Sequence, residues 1–214
     1  MGQHPTRSVP ESTRVEAFSD GVLAIAVTLL VLDLHSDFER GDFANQLSAQ
    51  WPTYAAYVAA FLNVSAIWIN HHDLFTRVRG VDATLITLNL FLLLVASLFP
   101  WPTAVISASQ RGGDRDDQIA ASLLYAGVGF LVPLTFIAVE TYLIHAVDLL
   151  TDPAQVDYLR TSRRRAMFSV VVYPITAALA FVSPYLSLTL FVVVPLFFIA
   201  AVFVQERADR NAIP

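Results

Sequence analysis

Apolar residues in this chain gather into runs of helix length, separated by short polar stretches that hold most of its arginine, aspartate and glycine. The first run, Thr13 to Leu34 (TRVEAFSDGVLAIAVTLLVLDL), contains no proline and nothing ionisable between Asp20 and Asp33. It predicts a helix over about 15–34. Later runs predict helices at about 53–71, 81–105, 119–145, 166–182 and 185–204, the last two joined by a tight Ser183-Pro184 turn. Each approaches the roughly 20 residues that a helix needs to cross about 30 Å of hydrocarbon. A helix also closes its own backbone hydrogen bonds, as lipid demands. The expected fold is all-α and integral to the membrane, with six transmembrane helices. Residues 13–206 would form the membrane domain, between a disordered polar lead (1–12) and a polar tail (207–214).

The polar stretches refine this picture. Asp33 to Gln50 is an acidic loop in which 43–51 could form a short interfacial helix ending at Trp51-Pro52, a composition suited to a membrane boundary. Pro100-Trp101-Pro102 should bend or break the third helix, and Ser107 to Gln118 reads as an aqueous linker. The N-terminus is not a convincing signal peptide, because the run after it is long, acidic at both ends and without a small-residue cleavage site. Composition agrees: 56% hydrophobic, 14% charged and a mean hydropathy of +0.58, against about 25% charged in soluble domains. There are no cysteines, which removes disulfides and thiolate metal sites.

All basic residues are arginine, and their distribution gives an orientation. With the N-terminus inside, Arg7, Arg14, Arg77, Arg79, Arg160, Arg163, Arg164, Arg165, Arg207 and Arg210 are cytoplasmic, leaving Arg40, Arg111 and Arg115 outside. Both termini are then expected in the cytoplasm of a cell whose plasma membrane holds the chain, by the positive-inside rule. The Arg163-Arg164-Arg165 cluster could also hold anionic lipid, although the orientation signal alone explains it.

Chemistry concentrates at the head of the first helix. Ser19 and Asp20 suit a helix N-cap, yet Arg14 to Phe18 looks helical too. A carboxylate at the membrane edge needs a partner or water. Arg14, Trp68, Asn70 and His71 are candidates for a network that pins the first helix to the second, with direct ion binding by Asp20 as the other reading. Ile25, Thr28, Leu29 and Leu32 share one helix face at i, i+3, i+4 and i+7, over about 10 Å. Nearly every neighbouring position is apolar, so periodicity alone does not choose that face over another. His71-His72 is a poor metal site, since adjacent helical residues point about 100° apart. No cofactor, metal or nucleic-acid partner is expected. Asn63, Asn89 and Glu140 with His145 suit interhelical hydrogen bonds.

The element Arg14-x-x-x-Phe18-Ser19-Asp20-Gly21, followed by Val22 to Leu30, resembles the first-helix signature of bacterial relatives of the endolysosomal potassium channel transmembrane protein 175. Trp68-x-x-His71-His72-x-x-Phe75 resembles the patch that follows the second helix in that family. The resemblance implies a homotetramer whose first helices line a central pore without a carbonyl filter. It places the constriction at Ile25, with further rings at Leu29 and Leu32 and a hydroxyl at Thr28. The residues agree in one respect: no Thr-Val-Gly-Tyr-Gly run exists to build a filter of stacked carbonyls. The expected function is a potassium-permeable cation channel in the bilayer. A small secondary transporter is the alternative, with Pro133, Pro174 and Pro195 as possible helix breaks, but a charged midplane cluster is missing. An enzyme would need a nucleophile with its base, or a metal constellation, and neither is visible.

Overall fold

The computed structural model describes residues 12–34 and 41–212. Asp37, Glu39, Arg40 and the polar lead up to residue 11 lie outside the described residues. Among the described residues eight α-helices follow one another: α1 Thr13–Leu29, α2 Phe43–Ala49, α3 Trp51–Phe75, α4 Ala83–Ser97, α5 Pro100–Gly112, α6 Arg115–His145, α7 Gln155–Ala180 and α8 Pro184–Ala212. Five stretches among the described residues are long and apolar enough to cross a membrane: Thr13–Leu32, Trp51–Phe75, Ala83–Gln110, Arg115–His145 and Pro184–Val204. The fifth expected span, on α7, differs in composition because Asp157, Arg160, Arg163, Arg164 and Arg165 crowd its first half. It nevertheless runs the length of α6. Arg163 Nη1 reaches Thr141 Oγ1 at one end (3.3 Å), and Arg115 Nη2 donates to the Phe181 carbonyl at the other (2.7 Å).

Several expected boundaries move, each for a local reason. The first helix is α-helical only to Leu29 and tightens into a 3-10 turn over Leu30–Asp33, as helix ends often do when their last carbonyls lose i+4 partners. The third is broken between α4 and α5, with Pro100 in the first turn of the new helix, where its missing N–H costs nothing. The linker expected at 107–118 is helical to Gly112. Ser107 and Ser109 are buried in it, their hydroxyls donating to Thr53 Oγ1 (3.1 Å) and the Ile106 carbonyl (2.9 Å). The fifth helix starts at Gln155 rather than 166, since arginine is a good helix former and the helix simply continues past the apolar part. The last helix likewise runs to Ala212, into the expected tail. Pro133, Pro174 and Pro195 all lie inside continuous helices.

Helix α3 is central. It packs on α1 with one face and on α8 with another, while α6 pairs with α4, α5 and α7. Asn63 of α3 fastens this core: the two protons of its Nδ2 are shared among the Ala59 carbonyl (2.9 Å), the Phe191 carbonyl (3.1 Å) and Tyr125 Oη (3.2 Å), and its Oδ1 accepts from Tyr173 Oη (2.8 Å). The Tyr125 ring also packs, tilted by 35°, at 4.3 Å from that of Phe191. Gly129 lets Tyr173 reach Asn63, because a Cβ there would sit 2.1 Å from the tyrosine ring. At the arginine-rich end the 76–82 and 146–154 loops are tied together. Val78 and Leu150 form an antiparallel bridge, Arg77 pairs with Asp73 at 2.7 Å and lies 3.6 Å over the Tyr158 ring, and Tyr158 Oη donates to Asp73.

Candidate pore face

Helix α1 has two unlike faces. Ser19, Leu23, Ala26 and Leu30 are buried, a 4-3-4 spacing that makes one continuous stripe. That stripe packs against α3, α4 and α5. The residues singled out from the sequence lie on the other side: Ile25 is 61% exposed, Leu29 44% and Leu32 69%, and Thr28 is exposed between them. In a 3-10 turn, residues i and i+3 eclipse, so Leu32 stands over Leu29 instead of drifting about 60° round the helix. Thr28 Oγ1 donates to the Ile25 carbonyl at 2.9 Å. Its proton is thereby occupied on its own helix, and its oxygen lone pairs are left to accept or to coordinate. Beside this ridge, Ala17, Gly21 and Ala24 form an exposed stripe of small residues.

The buried face is fixed by a directed chain of hydrogen bonds. Ser19 Oγ donates to the Val15 carbonyl (2.8 Å), and Asn89 Nδ2 donates to Ser19 Oγ (2.9 Å). Asn89 Oδ1 must then accept from His71 Nε2 (2.9 Å), which places the imidazole proton on that nitrogen. Ser19 and Asn89 each have a partner on both sides, and all three side chains are buried. The His71 ring also stacks on Phe75 at 4.3 Å. A second tie runs from Trp68 Nε1 to Asp20 Oδ1 at 2.9 Å, with the indole stacked on His72 at 5.7 Å. It borders a groove of about 240 Å³ lined by Leu23, Ala24, Val27 and Ser65.

Of the residues expected in one network, Ser19 and His71 meet through Asn89, and Asp20 meets Trp68. Asn70 stands apart, since its Nδ2 bonds the Ala66 carbonyl of its own helix (2.7 Å) and its side chain lines a different cavity. Arg14 and Phe18 are exposed, and Arg14 forms no ion pair among the described residues. The bridging role of Asn89 is new. A buried amide within an apolar run signals an interhelical bond, but sequence does not say to which helix. His71 and His72 turn to different neighbours, and among the described residues no group of three metal-ligating side chains is present. Nor do the three consecutive arginines form one patch. Arg163 reaches α6, Arg165 Nη1 reaches the Ala201 carbonyl (3.3 Å), and Arg164 faces outward.

Comparison with known proteins gives one answer. Residues 14–100 match the family described as "Endosomal/lysosomal potassium channel TMEM175". A potassium channel of Streptomyces collinus is 42% identical over 83% of this chain and 86% of its own length. A potassium channel of Chamaesiphon minutus is 31% identical over 92% of this chain and 97% of its own. The crystal structure of a lysosomal potassium-selective channel TMEM175 homolog from the same organism superposes with a TM-score of 0.76 at 27% identity, covering 89% of this chain and 97% of that one. These relatives are named as channels, and none as an enzyme. The chain belongs to the TMEM175 family.

Proposed function

We propose that this protein is a potassium-permeable cation channel of the plasma membrane, formed by four copies whose first helices surround a central pore, with both termini cytoplasmic. The observation that carries this reading is the division of α1. One face is held by the Ser19-Asn89-His71 chain and the Leu23, Ala26 and Leu30 contacts, while Thr28 and the Ile25-Leu29-Leu32 ridge are exposed on the subunit's surface. Lipid would accept the leucines but not the exposed Asp20 carboxylate or Arg14. The small-residue stripe permits close approach by a neighbouring helix, and it lies about 100° round the helix from the ridge. A copy packed on the stripe leaves the ridge facing the axis.

In that arrangement side chains control passage. Rings of Ile25, Leu29 and Leu32 form a hydrophobic neck that gates by width and wetting. A cation must shed part of its water to enter it, which costs potassium less than sodium. Thr28 lends oxygen lone pairs between the rings. Asp20, held by Trp68, raises the local cation concentration at the inner mouth. The resulting selectivity arises from dehydration cost, without fixed carbonyl coordination.

The test is flux from potassium-loaded liposomes containing the purified protein, with potassium or sodium outside. An electrogenic leak that prefers potassium is expected, and Ile25→Asn should raise the current and lower the preference by wetting the neck. Absence of electrogenic cation flux in folded, inserted protein would overturn the channel reading. Unchanged permeation in Ile25→Asn would remove Ile25 from the constriction.

A further inference from the structure

Helix α7 packs on α6 and α8, whereas α1 packs on α3, α4 and α5. With α1 lining the pore, the reading on which this inference rests, α7 stands at the perimeter and its open face meets lipid. That face is one stripe. Met167, Phe168, Val171 and Ile175 are each more than half exposed, and the exposed Arg160 and Arg164 continue the same helical spacing on the N-terminal side. Phe197 of α8 widens the apolar part, its ring 6.1 Å from that of Phe168. The arginines here are not equivalent. Arg163 and Arg165 turn to Thr141 Oγ1 and the Ala201 carbonyl, both at 3.3 Å. Arg160 pairs with Asp157 at 3.0 Å, but both side chains are exposed, and such a pair holds weakly in water. Arg164 has no hydrogen bond or ion pair among the described residues.

We propose that this face binds one anionic phospholipid of the cytoplasmic leaflet, with its phosphate on Arg164 and an acyl chain along Phe168, Val171 and Ile175. Depth and charge set the class. Arg164 stands about 4.5 Å and Arg160 about 10 Å beyond Met167 along the helix axis, and the headgroup layer is about 5–7 Å thick on each side of the hydrocarbon. Arg164 is therefore level with a lipid phosphate, and Arg160 with whatever the phosphate carries outward. A zwitterionic lipid would present its cationic amine there, against the Arg160 guanidinium. Phosphatidylglycerol presents hydroxyls instead, which accept from Arg160. A free phosphate would reach the same guanidinium but leave the apolar band uncovered.

Native mass spectrometry of the unmodified full-length protein decides this by counting dioleoyl lipids added in detergent. Phosphatidylglycerol should bind saturably, one per subunit, at concentrations at least about tenfold lower than phosphatidylcholine, as the surface charge of two arginines predicts. Arg164→Gln should weaken phosphatidylglycerol about fivefold, while Arg163→Gln, one residue away but turned to α6, should change it by less than about twofold. Equal binding of the two lipids to the unmodified protein would overturn the proposal and mark plain annular contact. So would equal losses in the two variants, which mark the summed charge of this end of the subunit rather than this face. Because the readout is bound mass, failure here is separate from failure of the channel reading, which flux decides.

Discussion

Asn89→Ala tests whether α1 is held by a hydrogen-bond chain or by apolar packing alone. Asn89 is 1% exposed and links His71 Nε2 to Ser19 Oγ, both at 2.9 Å. The substitution removes two interhelical bonds, each worth about 0.6 kcal/mol on average within membranes, and orphans the His71 N–H in a dry site for a further ~1–3 kcal/mol. Ser19 keeps its bond to the Val15 carbonyl (2.8 Å), so only the imidazole is stranded. The expected loss is about 2–4 kcal/mol, read by chemical unfolding in detergent micelles through tryptophan fluorescence. Ser19→Ala should cost about 1–2 kcal/mol, because it leaves the buried Asn89 amide donor unanswered. The double variant should be less destabilised than the sum by roughly 0.5–1.5 kcal/mol, since both changes delete the same bond. Thr87→Ala is the control: this exposed hydroxyl on the same helix bonds only its own backbone, and the change should stay within about 0.5 kcal/mol. A neutral Asn89→Ala, or strict additivity with Ser19→Ala, would show that the chain of bonds does not hold α1.

Other expectations follow from single contacts. Gly129→Ala puts a Cβ 2.1 Å from the Tyr173 ring and should destabilise by about 1–3 kcal/mol through overpacking; a neutral result in the same unfolding assay would mean that Tyr173 swings away from Asn63 without cost. Trp68→Phe keeps an aromatic ring against His72 but loses the 2.9 Å bond to Asp20. It should cost about 0.5–1.5 kcal/mol and leave the potassium-to-sodium permeability ratio in liposomes unchanged, whereas an altered ratio at unaltered stability would make Asp20 an ion ligand rather than a packing group. Asp82 lies outside the spans, capping α4. Its partial burial works to raise its pKa, but the Leu85 amide and the Tyr142 hydroxyl outweigh that and hold the carboxyl below the usual range. A depressed folded value stabilises above the unfolded value of about 3.9 and is lost as pH falls through the folded one. Asp82→Asn retains an N-cap, so unfolding free energies should show a shallower fall than the parent between pH 5 and pH 3, and parallel curves would refute the assignment.

How much of this was legible beforehand differed from feature to feature. Spans were readable because long apolar runs have few alternatives, and the break before Pro100 because proline lacks the N–H that a continuing helix needs. The other prolines show the limit of that rule: Pro133, Pro174 and Pro195 sit in unbroken helices, where neighbouring helices support the backbone. Boundaries failed where composition changed but propensity did not. The arginines of α7 extend a helix as readily as its apolar half does, and the serines of α5 are buried because each finds a partner. Asp20 and Trp68 could be paired from their shared position at one membrane edge. Asn70 could not be told from His71, one residue away, because the 100° between them decides which helix each one faces.

That angular question is also why the face of α1 could not be read from periodicity. In a soluble helix, polar residues mark the outside and apolar ones the core. In a membrane helix Leu23, Ile25, Leu29 and Leu30 are equivalent by hydropathy, although Leu23 and Leu30 are buried and Ile25 and Leu29 are not. What separates them is the polar minority at the helix head. Ser19 accepts from Asn89 and is drawn inward, and Leu23, Ala26 and Leu30 follow it at 4-3-4 spacing. Asp20, one residue on, is turned about 100° away, towards Trp68 on the rim. With the entrance fixed at two adjacent positions, the helix has no rotational freedom left, and Thr28 with Ile25, Leu29 and Leu32 must point out of the subunit. A lone hydroxyl or carboxylate would leave a choice of rotations, whereas an adjacent pair with different partners sets the phase of every apolar residue beyond it.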